Sequence, residues 1–424
     1  MRRASRIAVA VVLASLVVAV AVAPCPAQAI VDADKLFEAG KFAEAGAIYA
    51  QIVAHDPKNQ AALAQLGYIA LLANHLDEAD RWLKKAIALN PSDAKAHIML
   101  AEVFYRRDDF PKAAELLREV GPKYSTLTQN YSSLNLEKLE SFRLRKPYEV
   151  TGKGESTRLK FVKVEPLPVL NVRINGGPEV TFFLDTGGSE LLLDTEFAKE
   201  LGIKPLGAVQ GTFSGGQHAD VQNGRIDSLT LGDWEVKNVP VGMLPLRAMS
   251  ADFGVKQLNG CVGTNVLYHF LATIDYPHGE LILRKKTAAG VREAEDAGDE
   301  KPVSVPVWMA GDHFMVGWGQ IEANPPALLL VDSGLTGAGV KLGEAAIKAA
   351  AIKLDQSKAS QGAGGGGNLK IVPYSVKHVS FGDIKEENVE GLYDGLFPWE
   401  HRFGFYLAGM IGHDFLKKYA VTLD

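Results

Sequence analysis

The sequence predicts a multidomain chain: an all-α helical repeat array followed by an all-β region of two related lobes. Three observations carry this reading. Ala45, Ala79 and Ala113 recur at a spacing of 34 residues (79−45 and 113−79). From about residue 158, apolar alternation with Gly-rich turns replaces helical spacing. Two apolar runs, 180–184 and 327–331, each end in Asp, a hydroxyl residue and Gly: Asp185-Thr186-Gly187 and Asp332-Ser333-Gly334. A length of 424 residues admits two to four domains. With 47% hydrophobic and 22% charged residues, the composition is that of an ordinary globular protein. The net charge of −5 and the lack of any Lys/Arg run exclude a nucleic-acid footprint.

Residues 1–29 read as a signal peptide. Arg2, Arg3 and Arg6 form a basic start, 7–23 is apolar apart from Ser15, and Ala27-Gln28-Ala29 has the small-x-small pattern of a cleavage site. The expected localisation is export, to the periplasm or outside the cell, with no membrane span after cleavage. An uncleaved anchor and a lipid anchor at Cys25 are the minor readings, because Pro24 stands where a lipoprotein signal wants a small residue. Cleavage after Ala29 leaves Cys261 alone, so no intrachain disulfide is expected. Its setting, Gly260-Cys261-Val262-Gly263, is that of a buried core thiol.

Residues 30–126 are expected to hold the helices. Tyr49, Leu83 and Leu117 each follow a periodic Ala by four residues, and Pro57 and Pro91 end two of the units. The stretch 77–89 carries an apolar stripe at Ala79, Trp82, Leu83, Ala86 and Ile87. The pattern resembles the tetratricopeptide repeat in about three copies. That resemblance implies a surface for a peptide or a protein partner; packing on the rest of the chain is the alternative. Residues 127–157 read as a capping helix, through 134–144, and a linker at 151–156.

The β region divides into lobes at 158–290 and 301–424. Asp185 is followed by a short strand at 189–193 and by Asp194, placed as the N-cap of a helix to Leu201. Asp332 is followed by a strand at 336–342 and a helix at 345–354. Cys261-Val262-Gly263 and Met410-Ile411-Gly412 recur late in each half. From triplet Asp to closing Asp is 90 residues in the first (275−185) and 92 in the second (424−332).

On these motifs residues 160–424 resemble the pepsin and retropepsin superfamily of aspartic peptidases, with lobes of bacterial retropepsin-like size. The resemblance implies that each lobe gives one Asp to a shared cleft and that the apolar-apolar-Gly motif braces the catalytic loop. Two carboxylates sharing one proton can activate water and polarise a peptide carbonyl. Asp185 and Asp332 are therefore the candidate catalytic pair, with no division into acid and base. Thr186 and Ser333 are expected to bond across the lobes, and Gly187 and Gly334 to let the backbones approach. No metal and no cofactor is required, and the ten His residues are scattered.

Two Gly-rich stretches, 211–218 and 362–368, occupy the place of substrate-covering hairpins. The flap candidates are Thr212, Phe213, Ser214 and Gly215 in the first half and Gly365 and Gly366 in the second. Surface loops are the alternative. Three departures stand out. Leu335 takes a place usually held by a small residue and is expected to crowd the cleft. The first flap lacks a Tyr, and Phe213 is a loose substitute. The second half stops at Asp424 where the first continues through 276–283, so the second lobe is expected to lack its last strand or borrow one. Two functions follow: an exported aspartic endopeptidase whose repeats recruit substrate or partner, or a weak or inactive peptidase fold binding peptides on an interaction scaffold. The oligomeric state is left open.

Overall fold

A computed structural model describes residues 26–121, 131–296, 302–364 and 367–424. Of the expected leader, only 26–29 fall among them, where they open the first helix; the rest of it, with Cys25, lies outside the described residues. No helix among the described residues is long and apolar enough to cross a membrane.

Six helices form three hairpins: α1 (Pro26–Glu38) with α2 (Phe42–His55), α3 (Gln60–Leu72) with α4 (Leu76–Leu89), and α5 (Ala94–Arg106) with α6 (Phe110–Val120). The 34-residue period reappears in the backbone. Asn59 and Asp93 cap α3 and α5 by accepting the amides of Ala62 and Ala96. Gly40, Asn74 and Asp108 hold the turns inside the hairpins at φ of 77°, 55° and 60°, where glycine and short polar residues are best tolerated. Ala45, Ala79 and Ala113 are fully buried, which lets paired helices approach closely.

The capping helix is shorter than expected. It spans Leu136–Glu140, and turns follow. Leu144 is 96% exposed, so no apolar stripe carries the helix onward, and Pro147 disfavours helix just before it.

The expected linker is also corrected. Strand β1 (Glu149–Gly152) pairs with β8 (Trp234–Leu244), and β2 (Ser156–Lys160) pairs with β11 (Glu280–Arg284). Gly152 serves close packing: a Cβ there would lie 2.2 Å from the Trp234 ring. The Trp234 indole N–H then donates to the Lys153 carbonyl at 3.0 Å.

The remaining strands of the first lobe are β3 (Val169–Ile174), β4 (Glu179–Leu184), β5 (Leu191–Asp194), β6 (Ala208–Thr212), β7 (His218–Leu231), β9 (Gly260–Val262) and β10 (Leu271–Asp275). Those of the second are β12 (Val307–Ala310), β13 (Phe314–Ile321), β14 (Ala327–Val331), β15 (Val340–Leu342), β16 (Ser360–Gly364), β17 (Gly367–Phe381), β18 (Ile384–Tyr393), β19 (Leu407–Ile411) and β20 (Ala420–Leu423). The duplication read from sequence is a duplication of pairings. β4 runs parallel to β9, as β14 does to β19. β5 is parallel to β8 and antiparallel to β9, as β15 is to β18 and β19.

The lobes join in a four-stranded sheet ordered β2-β11-β10-β20. Thr273 and Thr422 face each other there, with their hydroxyls 2.8 Å apart. The second lobe thus gives one strand and the first gives three.

The helical array sits against both lobes. A Cβ on Gly40 would lie 2.5 Å from Leu328, and the Phe42 and Phe405 rings meet edge-on at 4.9 Å. Asn74 reaches the Tyr268 hydroxyl at 3.2 Å, and Asp108 meets His269 at 3.1 Å. Arg106, paired with buried Glu102 at 2.7 Å, donates to the Gly311 carbonyl at 2.7 Å.

Candidate active site

β4 and β14 are buried apolar strands, and each delivers its Asp to the start of a tight loop where the two lobes meet. The parallel partners β9 and β19 hold these ends: the Asp185 amide donates to Val262 O at 3.1 Å and the Asp332 amide to Ile411 O at 2.9 Å. The apolar-apolar-Gly motifs therefore brace both loops. Gly263 and Gly412 cannot carry side chains, since a Cβ would fall 2.3 Å from Glu190 O or 2.5 Å from Ala338 O.

Thr186 and Ser333 lock the loops together. The Thr186 amide donates to the Ser333 hydroxyl and the Ser333 amide to the Thr186 hydroxyl, both at 2.9 Å. Both residues are about 1% exposed. Gly187 and Gly334 each donate to the carboxylate of their own triplet, at 2.7 and 2.9 Å. Each glycine also backs onto the opposite Asp. A Cβ on Gly187 would be 2.4 Å from Asp332 Oδ1, and one on Gly334 would be 2.3 Å from Asp185 Oδ1. Only glycine lets the carboxyls meet.

The meeting has an electrostatic cost. Burial, then the charge of Asp332, pushes Asp185 up to about 8. Burial also raises Asp332, but the Gly334 amide, a hydrogen bond from Asp185, and the charges of Lys341 and His313 oppose it. Both carboxyls are thus raised, Asp185 the more strongly, and they titrate as one pair.

Thr212 ends β6, and Phe213, Ser214 and Gly215 lie in the turn that joins it to β7. The Phe213 amide bonds the Gln217 carbonyl at 2.8 Å, and Gly215 has φ of 67°. The tip crosses to the second lobe, where the Ser214 hydroxyl lies 3.3 Å from Lys341 Nζ. Lys341 is in turn paired with Asp394 at 2.6 Å. β16 and β17 form the second hairpin, and its Leu369 reaches the first tip. Gly365 and Gly366 lie outside the described residues.

Leu335 does not occupy the cleft as expected. It packs on Gly412, whose Cβ would fall 2.8 Å from it, and on the apolar core shared with the helices. Cys261 is fully buried, and burial raises its thiol well above the ordinary value. Asp194 caps the helix Thr195–Glu200 as expected, and its second oxygen accepts the amides of Leu246 and Arg247.

One group among the described residues, Glu165, His413 and Asp414, brings metal-type ligand atoms within 4.8 Å of one another. Lys417 already bridges its two carboxylates, at 3.1 and 2.7 Å.

Residues 170–266 match the family model described as aspartyl protease. Two tetratricopeptide repeat models match 36–86 and 73–124. The chain therefore has tetratricopeptide repeats followed by an aspartic-peptidase-like domain, and the repeated strand pairings carry that fold through the second lobe. Comparison with curated proteins gives no match. Among solved structures, an O-GlcNAc transferase mutant from Thermobaculum terrenum is 19% identical, with a TM-score of 0.24 over 27% of this chain and 22% of that one. MamA protein is 22% identical, with a TM-score of 0.24 over 28% and 63%. The Yersinia enterocolitica type III secretion chaperone SycD, in complex with a peptide of the translocator YopD, is 16% identical, with a TM-score of 0.26 over 28% and 93%. The chain spans less than two thirds of the first two, and likenesses this slight carry no argument.

Sequence reasoning missed the residues that reach the aspartyl loops from elsewhere. Lys138, in the helix after the repeats, donates to both oxygens of Glu190 at 2.8 and 2.7 Å, and Tyr105 of α5 bonds the same carboxylate at 2.5 Å. His313, in the turn between β12 and β13, reaches the Gly187 carbonyl at 3.0 Å.

Proposed function

We propose that this chain is an exported aspartic endopeptidase that hydrolyses peptide bonds with Asp185 and Asp332. The observation that carries the reading is the reciprocal Thr186–Ser333 lock, which places two partly buried carboxyls face to face, each against the other triplet's glycine. Such a pair holds one proton between two groups.

In the reaction, the ionised Asp332 takes a proton from the attacking water while Asp185 gives its proton to the substrate carbonyl oxygen. The resulting diol collapses as the C–N bond breaks: Asp332 passes the proton it took from water to the leaving nitrogen, and Asp185 recovers a proton from a diol hydroxyl. The two hairpins cover the bound peptide, and the repeats present substrate or a protein partner to the domain. The basic-apolar start of the sequence supports export to the periplasm or beyond.

The test is cleavage of a diverse peptide library by the purified chain, with Asp185→Asn and Asp332→Asn alongside. Cleavage lost in both variants supports the reading. Cleavage unchanged in either one removes it.

A further inference from the structure

The turn that joins β12 to β13 carries Asp312 and His313, which are 2% and 6% exposed. His313 Nδ1 lies 2.5 Å from Asp312 Oδ1, and Nε2 lies 3.0 Å from the Gly187 carbonyl oxygen. A carbonyl can only accept. Asp312 also accepts: its other oxygen receives the Ser133 amide at 2.7 Å and the Ser132 hydroxyl at 3.0 Å. Burial works to raise Asp312, yet the His313 charge and these donors win, and the carboxyl sits well below its ordinary range. With an acceptor on each side, both ring nitrogens must carry hydrogen.

The chain of contacts crosses three parts of the fold. Ser132 and Ser133 belong to the segment after the helical repeats, His313 to the second lobe, and Gly187 to the aspartyl loop of the first. Gly187 donates to Asp185 and lies against Asp332. Ser133 also accepts from Asn265 at 3.0 Å, next to Thr264, whose hydroxyl bonds the Thr186 carbonyl at 2.8 Å.

Resting on the proposed peptidase reading, we propose that His313 is a positioning residue. Held by Asp312 and by Ser132–Ser133, it fixes the Gly187 carbonyl and sets a positive charge behind the carboxyl pair. The segment that follows the repeats is thereby a working part of the site.

Other titratable groups also face this pair. Glu102 and Arg106 approach from α5, where Arg106 bonds the Met309 and Gly311 carbonyls. Arg402 lies within electrostatic reach of Asp312. Tyr131 and Tyr148, both raised well up by burial, lie on the helical side, and Asp332 on the cleft side. The Phe314 ring covers the imidazole at 3.8 Å.

The test uses the full chain, His313→Gln, which keeps a donor but no charge, and Asp312→Asn. Removing a cation raises both apparent values of a shared-proton pair, so the pH–rate bell of His313→Gln is expected to move up by about one unit. Cleavage would fall about tenfold on the acid limb and rise on the alkaline limb, with KM little changed. In Asp312→Asn the ring loses its carboxylate acceptor and should lose the hydrogen that this acceptor holds. Nitrogen NMR should show hydrogen on both ring nitrogens of His313 in the parent chain. An even loss of rate at every pH, no change of rate, or a singly protonated ring would each overturn the proposal. A parent chain that cleaves nothing would overturn the peptidase reading instead, and the ring readout would still judge the hydrogen-bond assignment.

Discussion

Thr186 and Ser333 exchange amide-to-hydroxyl bonds across the lobe boundary at equal lengths of 2.9 Å. Removing either hydroxyl leaves a buried amide without its acceptor, which costs about 1–3 kcal/mol. Thr186→Val and Ser333→Ala should each lower the unfolding free energy from denaturant titration by that amount. They should also cut kcat more than they raise KM, because the pair they hold acts in the transition state. The double variant should cost less than the sum, since each deletion already breaks the same lock.

Asp185 ties the site to pH. Its folded value is raised to about 8 by burial and by Asp332, from an ordinary 3.8. Between these values the folded state holds more protons than the unfolded state, so this group's contribution to stability falls as pH rises through that window. Asp185→Asn removes the effect. The variant should melt above the parent chain at neutral pH by at least about 2–4 °C, and the gap should shrink toward pH ~4. Scanning calorimetry at several pH values would show the slope. A gap that grows toward acid would have the wrong sign.

Lys138 and Glu190, whose side chains are 0% and 4% exposed, form a buried ion pair between the capping helix and the aspartyl loop. Lys138→Met strands a carboxylate and should cost about 3–5 kcal/mol. Replacing both residues with methionine should recover most of that loss. Urea unfolding of the two variants would separate a stranded charge from simple loss of packing.

The parts of this molecule that sequence reveals are those written as local repetition. The 34-residue period shows in Ala45, Ala79 and Ala113, and the structure adds Gly40, Asn74 and Asp108 at the same step. The triplets and the apolar-apolar-Gly motifs show because each half repeats them in order. What stays hidden is contact between distant segments. His313 meets Gly187 across 126 positions and sits in a Gly-Asp-His turn with no helical or strand period to mark it. The glycines of 151–156 look like linker residues, yet Gly152 makes room for the Trp234 ring and its strand joins the sheet. Leu335 is hidden for a related reason: it packs on Gly412, far along the chain.

The most direct measurement is library cleavage by the purified chain from about pH 3 to about pH 8, with Asp185→Asn and a pepstatin-type inhibitor as controls. The shared-proton account predicts cleavage that both controls abolish, persisting toward neutral pH because Asp185 keeps its proton to about 8. Cleavage that survives Asp185→Asn, or none at any pH in a folded chain, would contradict it.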